Sequence, residues 1–243
     1  MSNEILLLVS VILIYGFLIV WFKLFGKAGL IAYTVLTTIT ANIEALILIR
    51  AFGMDQTLGN VMFASSFLAT DILSELYGKE QAQKAVNIGI ATSFTFIVLT
   101  QFWFLYTTTA ADIAMVHLKP IFSYTPRMMT ASLFVYAIAQ KFDVWAYHKW
   151  WKFTEKLSGD KRGYLWVRNN GSTLLSQLLN AILFTLFAFW GTYDVPTLIS
   201  IIGSSYIIFI FTSIADTPMI YLARAMFEKA QKTKEKAIDN IKY

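Results

Sequence analysis

Cysteine is absent from this chain of 243 residues, and only two histidines and four prolines occur in it. The lack of cysteine excludes disulfide bonds, thiol catalysis and cysteine-ligated metals. The histidines, His117 and His148, lie far apart, so a histidine metal site is not expected and no cofactor is predicted. Charged residues are also scarce, at 14% against about 25% in a typical soluble domain. These deficits argue against a soluble protein.

Hydrophobic residues are abundant and make up 57% of the chain. Residues 5–22 and 86–106 carry no charge, and each run is long enough to cross about 30 Å of hydrocarbon. The ten-residue alternating strands of a membrane β-barrel are absent from the sequence. Glu4 and the lack of a basic leader argue against a removed signal peptide. We therefore predict an all-α integral membrane protein with about seven spans, at 4–25, 28–50, 60–77, 84–107, 127–148, 171–191 and 195–223.

The distribution of lysine and arginine predicts the orientation of these spans. Sixteen basic residues fall in the connections between spans one and two, three and four, and five and six, or in the C-terminal tail. The opposite side holds only Arg50, Lys119 and Arg127, with Lys141 near the fifth span. Basic residues accumulate on the cytoplasmic side of membrane proteins. The N-terminus is expected outside and the C-terminus in the cytoplasm, and the net charge of +5 does not indicate nucleic-acid binding.

Two carboxylates, Asp71 and Glu75, stand inside the third predicted span. A charge at bilayer depth costs at least about 2.5–3.5 kcal/mol, so such residues usually face a pathway, a ligand or one another. Their spacing of four puts them on one side of a helix. We expect Asp71, the deeper one, to contact a ligand, while Glu75 could equally be a gate or a salt-bridge partner.

Further polar residues occur in the second and sixth spans. Asn42 and Glu44 in the second span have either a binding or a gating role. The sixth span carries a stripe at positions i, i+3, i+7 and i+10, formed by Asn170, Thr173, Gln177 and Asn180. Such a stripe suits a pocket, although amides also bond between membrane helices as structural contacts.

The fifth and seventh spans complete the set of candidates. Asp216 lies beside Pro218, and helices interrupted by proline often line transport sites. It could contact substrate, carry a proton or pair with Lys141. Gln140, Lys141 and Asp143 lie near the cytoplasmic interface, where a structural Lys–Asp pair competes with a functional role.

Five motifs carry a family resemblance: Ala41-Asn42-Ile43, FLATDILSELYGK at 67–79, PRMMTASLFVYAIAQKFDVW at 126–145, STLLSQLLN at 172–180 and DTPMIY at 216–221. The sequence resembles the queuosine precursor transporter family, also called the vitamin uptake transporter family. The resemblance covers about 30–225 and implies three parts. These are an extra N-terminal transmembrane helix at 1–27, a six-helix transporter core at 28–225 and a charged cytoplasmic helix or tail at 226–243.

The resemblance implies a transporter in the cell inner membrane that imports a 7-deazaguanine base by secondary or facilitated transport. Candidate bases are 7-cyano- or 7-aminomethyl-7-deazaguanine and queuine. A carboxylate can accept the adjacent N–H and amino groups of such a base, amides suit its other polar atoms, and aromatic rings stack on its face. The expected ligand contacts are Asp71, Glu75, Asn42, Gln177, Asn180, Thr173, Asp216, Tyr77, Tyr221 and Gln140.

Other functions remain open from the residues alone. No GxxxxGK[ST] motif is present, so the chain is not expected to hydrolyse ATP. It could instead be the substrate-binding subunit of a multi-subunit vitamin importer, or a purely structural membrane subunit. An intramembrane enzyme is less favoured, because the sequence contains neither a GxGD nor an HExxH motif. The expected partners are a nucleobase-like small molecule and the lipid bilayer, with homo-oligomerisation left open.

Overall fold

The computed structural model describes residues 2–45, 47–123, 126–159 and 163–241. Within these ranges the chain forms seven α-helices and one two-stranded sheet. The helices are α1 (Asn3–Glu44), α2 (Gly59–Tyr77), α3 (Lys79–Trp103), α4 (Met115–Ser123), α5 (Pro126–Ser158), α6 (Leu165–Phe189) and α7 (Val195–Ile241). The strands are β1 (Leu48–Ala51) and β2 (Met54–Thr57).

Helix α1 is broken at Gly26 into two arms, residues 3–25 and 27–44. Gly26 has φ 57° and ψ −133°, a conformation that glycine adopts without the clash of a side chain. The second arm folds back along the first. A hydrogen bond joins the two arms, from the Tyr33 hydroxyl to the Ile14 carbonyl at 2.6 Å. Gly29 lies against the Trp21 backbone, where a Cβ atom would collide. The break falls between the predicted spans 4–25 and 28–50.

The second predicted span is too long at its end, since the helix stops at Glu44 instead of residue 50. An antiparallel hairpin of β1 and β2 follows. Its two turn residues, Phe52 and Gly53, both have positive φ angles of 53° and 73°, as tight hairpin turns require. Glu4 accepts a 3.0 Å hydrogen bond from the Phe52 amide and so ties the start of α1 to this turn.

Helix α2 lies in the middle of the bundle. It contacts α1, α3, α5 and α7, and nearly every residue from Val61 to Ser74 is buried. A single residue, Gly78 with φ 83°, separates it from α3. The main hydrophobic core contains Leu68, Ile72 and Leu73 of α2. The polar residues of α2 are therefore surrounded by protein.

Four of the described helices, α1, α3, α6 and the part of α7 up to Thr233, are long and apolar enough to cross a membrane. Large side chains such as Ile12, Phe94 and Phe211 are 60–69% exposed on their outer faces, as expected for contact with lipid. Helix α7 stays helical through Pro218 and continues past the predicted span end at residue 223. The fold is that of an α-helical membrane protein.

Candidate functional site

Three carboxyl groups from three helices meet inside the bundle, and we call them the carboxylate cluster. They are Asp71 of α2, Asp143 of α5 and Asp216 of α7, and all are 0% exposed. The Asp71 and Asp143 side chains are in contact, and Asp216 lies within electrostatic range of both. Helix α6 supplies one hydroxyl to each of two members. Thr173 donates to Asp71 Oδ2 at 2.9 Å, and Ser176 donates to Asp143 Oδ1 at 2.7 Å.

Four oxygens of this cluster lack a hydrogen-bond donor among the described residues. They are Asp71 Oδ1, Asp143 Oδ2 and both carboxyl oxygens of Asp216. Proteins satisfy nearly all of their buried polar atoms, and exceptions often mark functional sites. Within the described ranges, no group of three acidic, histidine or cysteine side chains has the geometry to hold a metal ion. The unpaired oxygens can accept hydrogen bonds from a ligand, or a proton.

Helix α6 presents two unpaired amides next to this cluster. Gln177 lies one turn beyond Thr173, is 0% exposed, and neither amide atom has a partner in the described part of the chain. Asn169 lies one turn before Thr173 and has the same properties. Asn169 is not among the residues predicted from the sequence, although its i, i+4, i+8 relation to Thr173 and Gln177 puts the three on one helix face. Asn180 is 7% exposed and lies further along the same helix.

Asn170, the first member of the predicted stripe, has a different environment. Its Nδ2 donates to Thr217 at 2.7 Å, and its Oδ1 accepts from Ser213 at 3.0 Å. Both partners belong to α7. Asn170 therefore forms a structural contact between α6 and α7, which is the alternative to a pocket given above for this stripe. Thr173 and Gln177 are buried in the protein interior instead.

Glu75 is held in a dense ion-pair arrangement that we call the Glu75 network. Arg168 of α6 contacts both carboxylate oxygens, with Nη2 2.6 Å from Oε1 and Nε 3.0 Å from Oε2. Tyr147 of α5 donates to Oε2 at 2.8 Å, and Arg224 of α7 approaches Oε1 to 3.3 Å. The Arg168 guanidinium also lies over the Trp151 ring at 4.4 Å. The network connects α2, α5, α6 and α7.

Gln140 is fully paired within the protein. Its Nε2 donates to Ser66 at 2.7 Å, and its Oε1 accepts from Thr70 at 3.1 Å. Asn42 is paired as well, because it donates to the Thr38 carbonyl at 2.7 Å and accepts from Ser132 at 2.9 Å. Asn42 also lines a small cavity between α1, α2, α3 and α5, whose other residues include Thr37, Thr38, Phe63, Ser66 and Tyr136.

The remaining sequence candidates lie away from the carboxylate cluster. Tyr77 ends α2 beyond the Glu75 network and packs against the Phe227 ring at 5.2 Å. Tyr221 is 43% exposed on α7. Lys141 is exposed, whereas Asp143 is buried and bonded to Ser176, so the proposed Lys141–Asp143 pair does not form. The structure thus brings together Asp71, Thr173 and Asp216, with Asp143 as an addition. Gln177 and Asn169 are buried one helical turn to either side of Thr173.

Comparison with known proteins identifies the family. A family described as "Putative vitamin uptake transporter" matches residues 57–223. This chain belongs to the vitamin uptake transporter family. A Bacillus subtilis (strain 168) protein named "Probable queuosine precursor transporter" is 34% identical over 215 residues, which cover 88% of this chain and 92% of that protein. No solved structure matches the chain.

The family region of this vitamin uptake transporter family member contains all three residues of the carboxylate cluster. It also contains Glu75 and Arg168, while both arms of α1 lie outside it. Membership in a transporter family, together with four helices able to span a bilayer, makes the chain a multi-pass membrane transporter.

Proposed function

We propose that this transporter imports a queuosine precursor, a 7-deazaguanine base, by secondary or facilitated transport, and that it is not an enzyme. The observation that carries the proposal is the carboxylate cluster, with four buried oxygens that lack donors among the described residues. The 34% identical relative with queuosine precursor transporter in its name supports the choice of ligand.

The chemistry of the base matches the vacant hydrogen-bonding positions. A guanine-like edge offers a ring N–H beside an amino group, and a carboxylate accepts both in a bidentate arrangement. Asp216 has two oxygens without donors, and Asp71 has one, because Thr173 occupies the other. In this proposal Asp71 and Asp216 hold the donor edge of the base. Thr173, Gln177 and Asn180 line the same site.

The paired candidates have supporting roles in this proposal. Glu75 holds the helix ends together through Arg168, and Gln140 fixes α5 against α2. Asn42 and Ser66 line the same small cavity, which in this proposal serves the approach to the site. Tyr77 and Tyr221 are assigned no direct contact with the base in the described conformation, since Tyr77 lies beyond the Glu75 network and Tyr221 is exposed.

Orientation follows from the basic residues. We propose seven spans with the N-terminus outside, which puts the Glu75 network at the cytoplasmic end, next to Lys79 and Lys152. Asp71 lies one turn, about 6 Å, further into the membrane. The network then closes the cytoplasmic exit below the carboxylate cluster. The protein is assigned to the inner membrane.

The N-terminal arm packs as part of the bundle in this arrangement, although the family resemblance treats residues 1–27 as an addition to a core at 28–225. Tyr15 of this arm is 1% exposed. Its hydroxyl donates, at 3.4 Å, to the carbonyl of Thr212, which lies one turn before Asp216 on α7. Residues 226–243 form the charged tail in this division.

Two glutamines provide a matched test of the site. Both Gln177 and Gln140 are 0% exposed, but only Gln140 is bonded within the described protein. We expect Gln177→Ala to weaken binding of 7-cyano-7-deazaguanine by about 10-fold or more while thermal stability is kept. Gln140→Ala should lower the thermal stability and leave the affinity nearly unchanged. Affinity is measured on purified protein, and uptake in liposomes with Asp71→Asn as the inactive variant.

Failure of the wild-type protein to bind any 7-deazaguanine would contradict the proposed substrate. Normal uptake by Asp71→Asn would contradict the proposed site. Uptake by liposomes that contain this chain alone distinguishes it from a binding subunit, because such a subunit needs ATPase partners for transport.

A further inference from the structure

We propose that Asn169 is a ligand-contacting residue that selects the carbonyl group of the transported base. The proposal rests on the proposed function and names one specificity-determining residue of the same site. It concerns a side chain that the sequence motifs did not single out.

Burial without a partner is the first ground for the proposal. Asn169 is 0% exposed, and both its Nδ2 and its Oδ1 lack a hydrogen-bond partner among the described residues. Its neighbour Asn170 is bonded at both ends of its amide to α7. Because unpaired buried amides are costly, the Asn169 amide is expected to gain its partners from a bound ligand.

The position of Asn169 on α6 is the second ground. It precedes Thr173 by four residues and Ser176 by seven, so the three side chains share one helix face. Thr173 and Ser176 bond the carboxyl groups of Asp71 and Asp143, respectively. Asn169 therefore continues the face of α6 that contacts the carboxylate cluster. It lies one turn, about 6 Å, closer to the Glu75 network than Thr173 does.

A second polar group at this level also lacks a partner. Ser74 of α2 is 0% exposed, and its hydroxyl has no hydrogen bond in the described part of the chain. Ser74 precedes Glu75, and Asn169 follows Arg168, while Glu75 and Arg168 bind each other across the two helices. Two helices thus bring unpaired polar groups to one layer, between the carboxylate cluster and the Glu75 network.

The remaining donors explain why the carbonyl is assigned to Asn169. Carboxylates accept hydrogen bonds but do not donate them when ionised. The hydroxyls of Thr173 and Ser176 already donate to carboxylates, and the Arg168 guanidinium is bound to Glu75 and the Gly163 carbonyl. Two fully buried amide donors without a partner remain among the described residues of α6, those of Gln177 and Asn169. Gln177 lies one turn beyond Thr173, on the side away from the Glu75 network, and Asn169 lies one turn before Thr173, towards that network. Of these two amides, Asn169 is the one that follows Arg168 in the sequence. We assign the carbonyl oxygen of the base, which carries partial negative charge, to the amide at the level of this positive charge.

The test is a change of specificity in the full-length protein. Two probes are compared, 7-deazaguanine with its ring carbonyl and 2,6-diamino-7-deazapurine, which has an amino group in that place and no proton on the adjacent ring nitrogen. The lost ring N–H affects the carboxylate contacts of every variant alike, so the readout is the change of the affinity ratio between variants. Wild type should prefer the carbonyl probe. Asn169→Asp replaces a donor by an acceptor, so its affinity for the carbonyl probe should fall about 10- to 100-fold and its preference should shift to the diamino probe. Asn170→Asp is the matched control and should keep the wild-type preference.

A second variant covers poor folding of the first, since Asn169→Asp adds a buried carboxylate. Asn169→Ser removes the amide without adding charge and should lower affinity for the carbonyl probe while the diamino probe is nearly unaffected. The proposal is overturned if the ratio of the affinities for the two probes is the same in Asn169→Asp as in wild type. Where Asn169→Asp does not accumulate, an unchanged ratio in Asn169→Ser overturns it. An equal shift in Asn170→Asp overturns it as well. Wild-type protein that binds neither probe refutes the proposed function itself and this inference with it.

Discussion

The Glu75 network makes a quantitative prediction about stability. Replacing Glu75 by glutamine keeps the size and shape of the side chain but removes the negative charge that faces Arg168. The Arg168 side chain is 0% exposed and has contacts of 2.6 and 3.0 Å to the two Glu75 oxygens. Removing one partner of a buried ion pair leaves the other charge uncompensated, which costs about 3–5 kcal/mol of unfolding free energy. We expect a loss of this size for Glu75→Gln.

Arg224 provides the comparison within the same network. Its side chain is 15% exposed, and its guanidinium is 3.3 Å from Glu75 Oε1. Water screens a partly exposed pair, so Arg224→Gln should cost about 0–1 kcal/mol. For a chain of this length, 1 kcal/mol corresponds to about 2–4 °C in Tm. Glu75→Gln should therefore lower Tm by about 6–20 °C, and Arg224→Gln by less than about 4 °C.

The assay is thermal unfolding of purified protein in detergent. A double-mutant cycle adds Arg168→Gln and the combination of Glu75→Gln with Arg168→Gln. Because the double variant leaves no buried charge unpaired, its loss should be clearly smaller than the sum of the two single losses. Equal small losses for Glu75→Gln and Arg224→Gln would refute this reasoning, and so would strict additivity in the cycle.

Two further predictions concern the backbone and the orientation. Gly26→Ala puts a side chain at φ 57° and should cost about 1–2 kcal/mol by thermal unfolding, whereas Gly16→Ala, in open helical surroundings, should be neutral or slightly stabilising. An equal effect of the two changes would speak against strain at the break in α1. Because the chain has no cysteine, Thr108→Cys and Lys152→Cys can each be labelled singly. With the N-terminus outside, a membrane-impermeant maleimide should reach Thr108→Cys on intact cells and Lys152→Cys only after permeabilisation, and the reverse pattern would contradict the orientation.

Much of the architecture could be predicted from hydrophobic runs and glycines. The breaks at Gly26 and Gly78 fall between predicted spans, because each of these glycines occupies a positive φ angle where a helix stops. The hairpin after Glu44 was missed, since residues 45–50 are as apolar as the helix before them. Its turn residue Phe52 has a positive φ angle, which a bulky residue seldom adopts. The local sequence therefore does not predict a turn at this position.

The candidate site was harder to predict, because sequence shows which residues are polar but not which are already paired. Asn169 and Asn170 have the same chemistry and adjacent positions, yet only Asn170 meets partners on α7. The charge pattern predicts Arg168 to lie in a cytoplasmic connection. The start of α6 at Leu165 carries it into the bundle, where it meets Glu75. Pairing of this kind depends on the packing of helices that are distant in sequence.

The contrast between the two buried polar layers suggests how transport could be driven. In the proposed orientation the Glu75 network, whose carboxylate is paired with Arg168, favours a closed cytoplasmic end. The carboxylate cluster has four oxygens without donors among the described residues. On the proposed function, release of the base to the cytoplasm requires Arg168 to separate from Glu75, at a cost of a few kcal/mol. A ligand can shift such an equilibrium only by binding the open state more tightly than the closed one.

Hydrogen bonds from the base to Asp71 and Asp216 can stabilise the open state in this way if helix separation is what lets the base reach both carboxylates. The Glu75→Gln variant, which weakens the closed state, should then bind the base more tightly than wild type, and weaker binding would show that the network supports the site instead of opposing it.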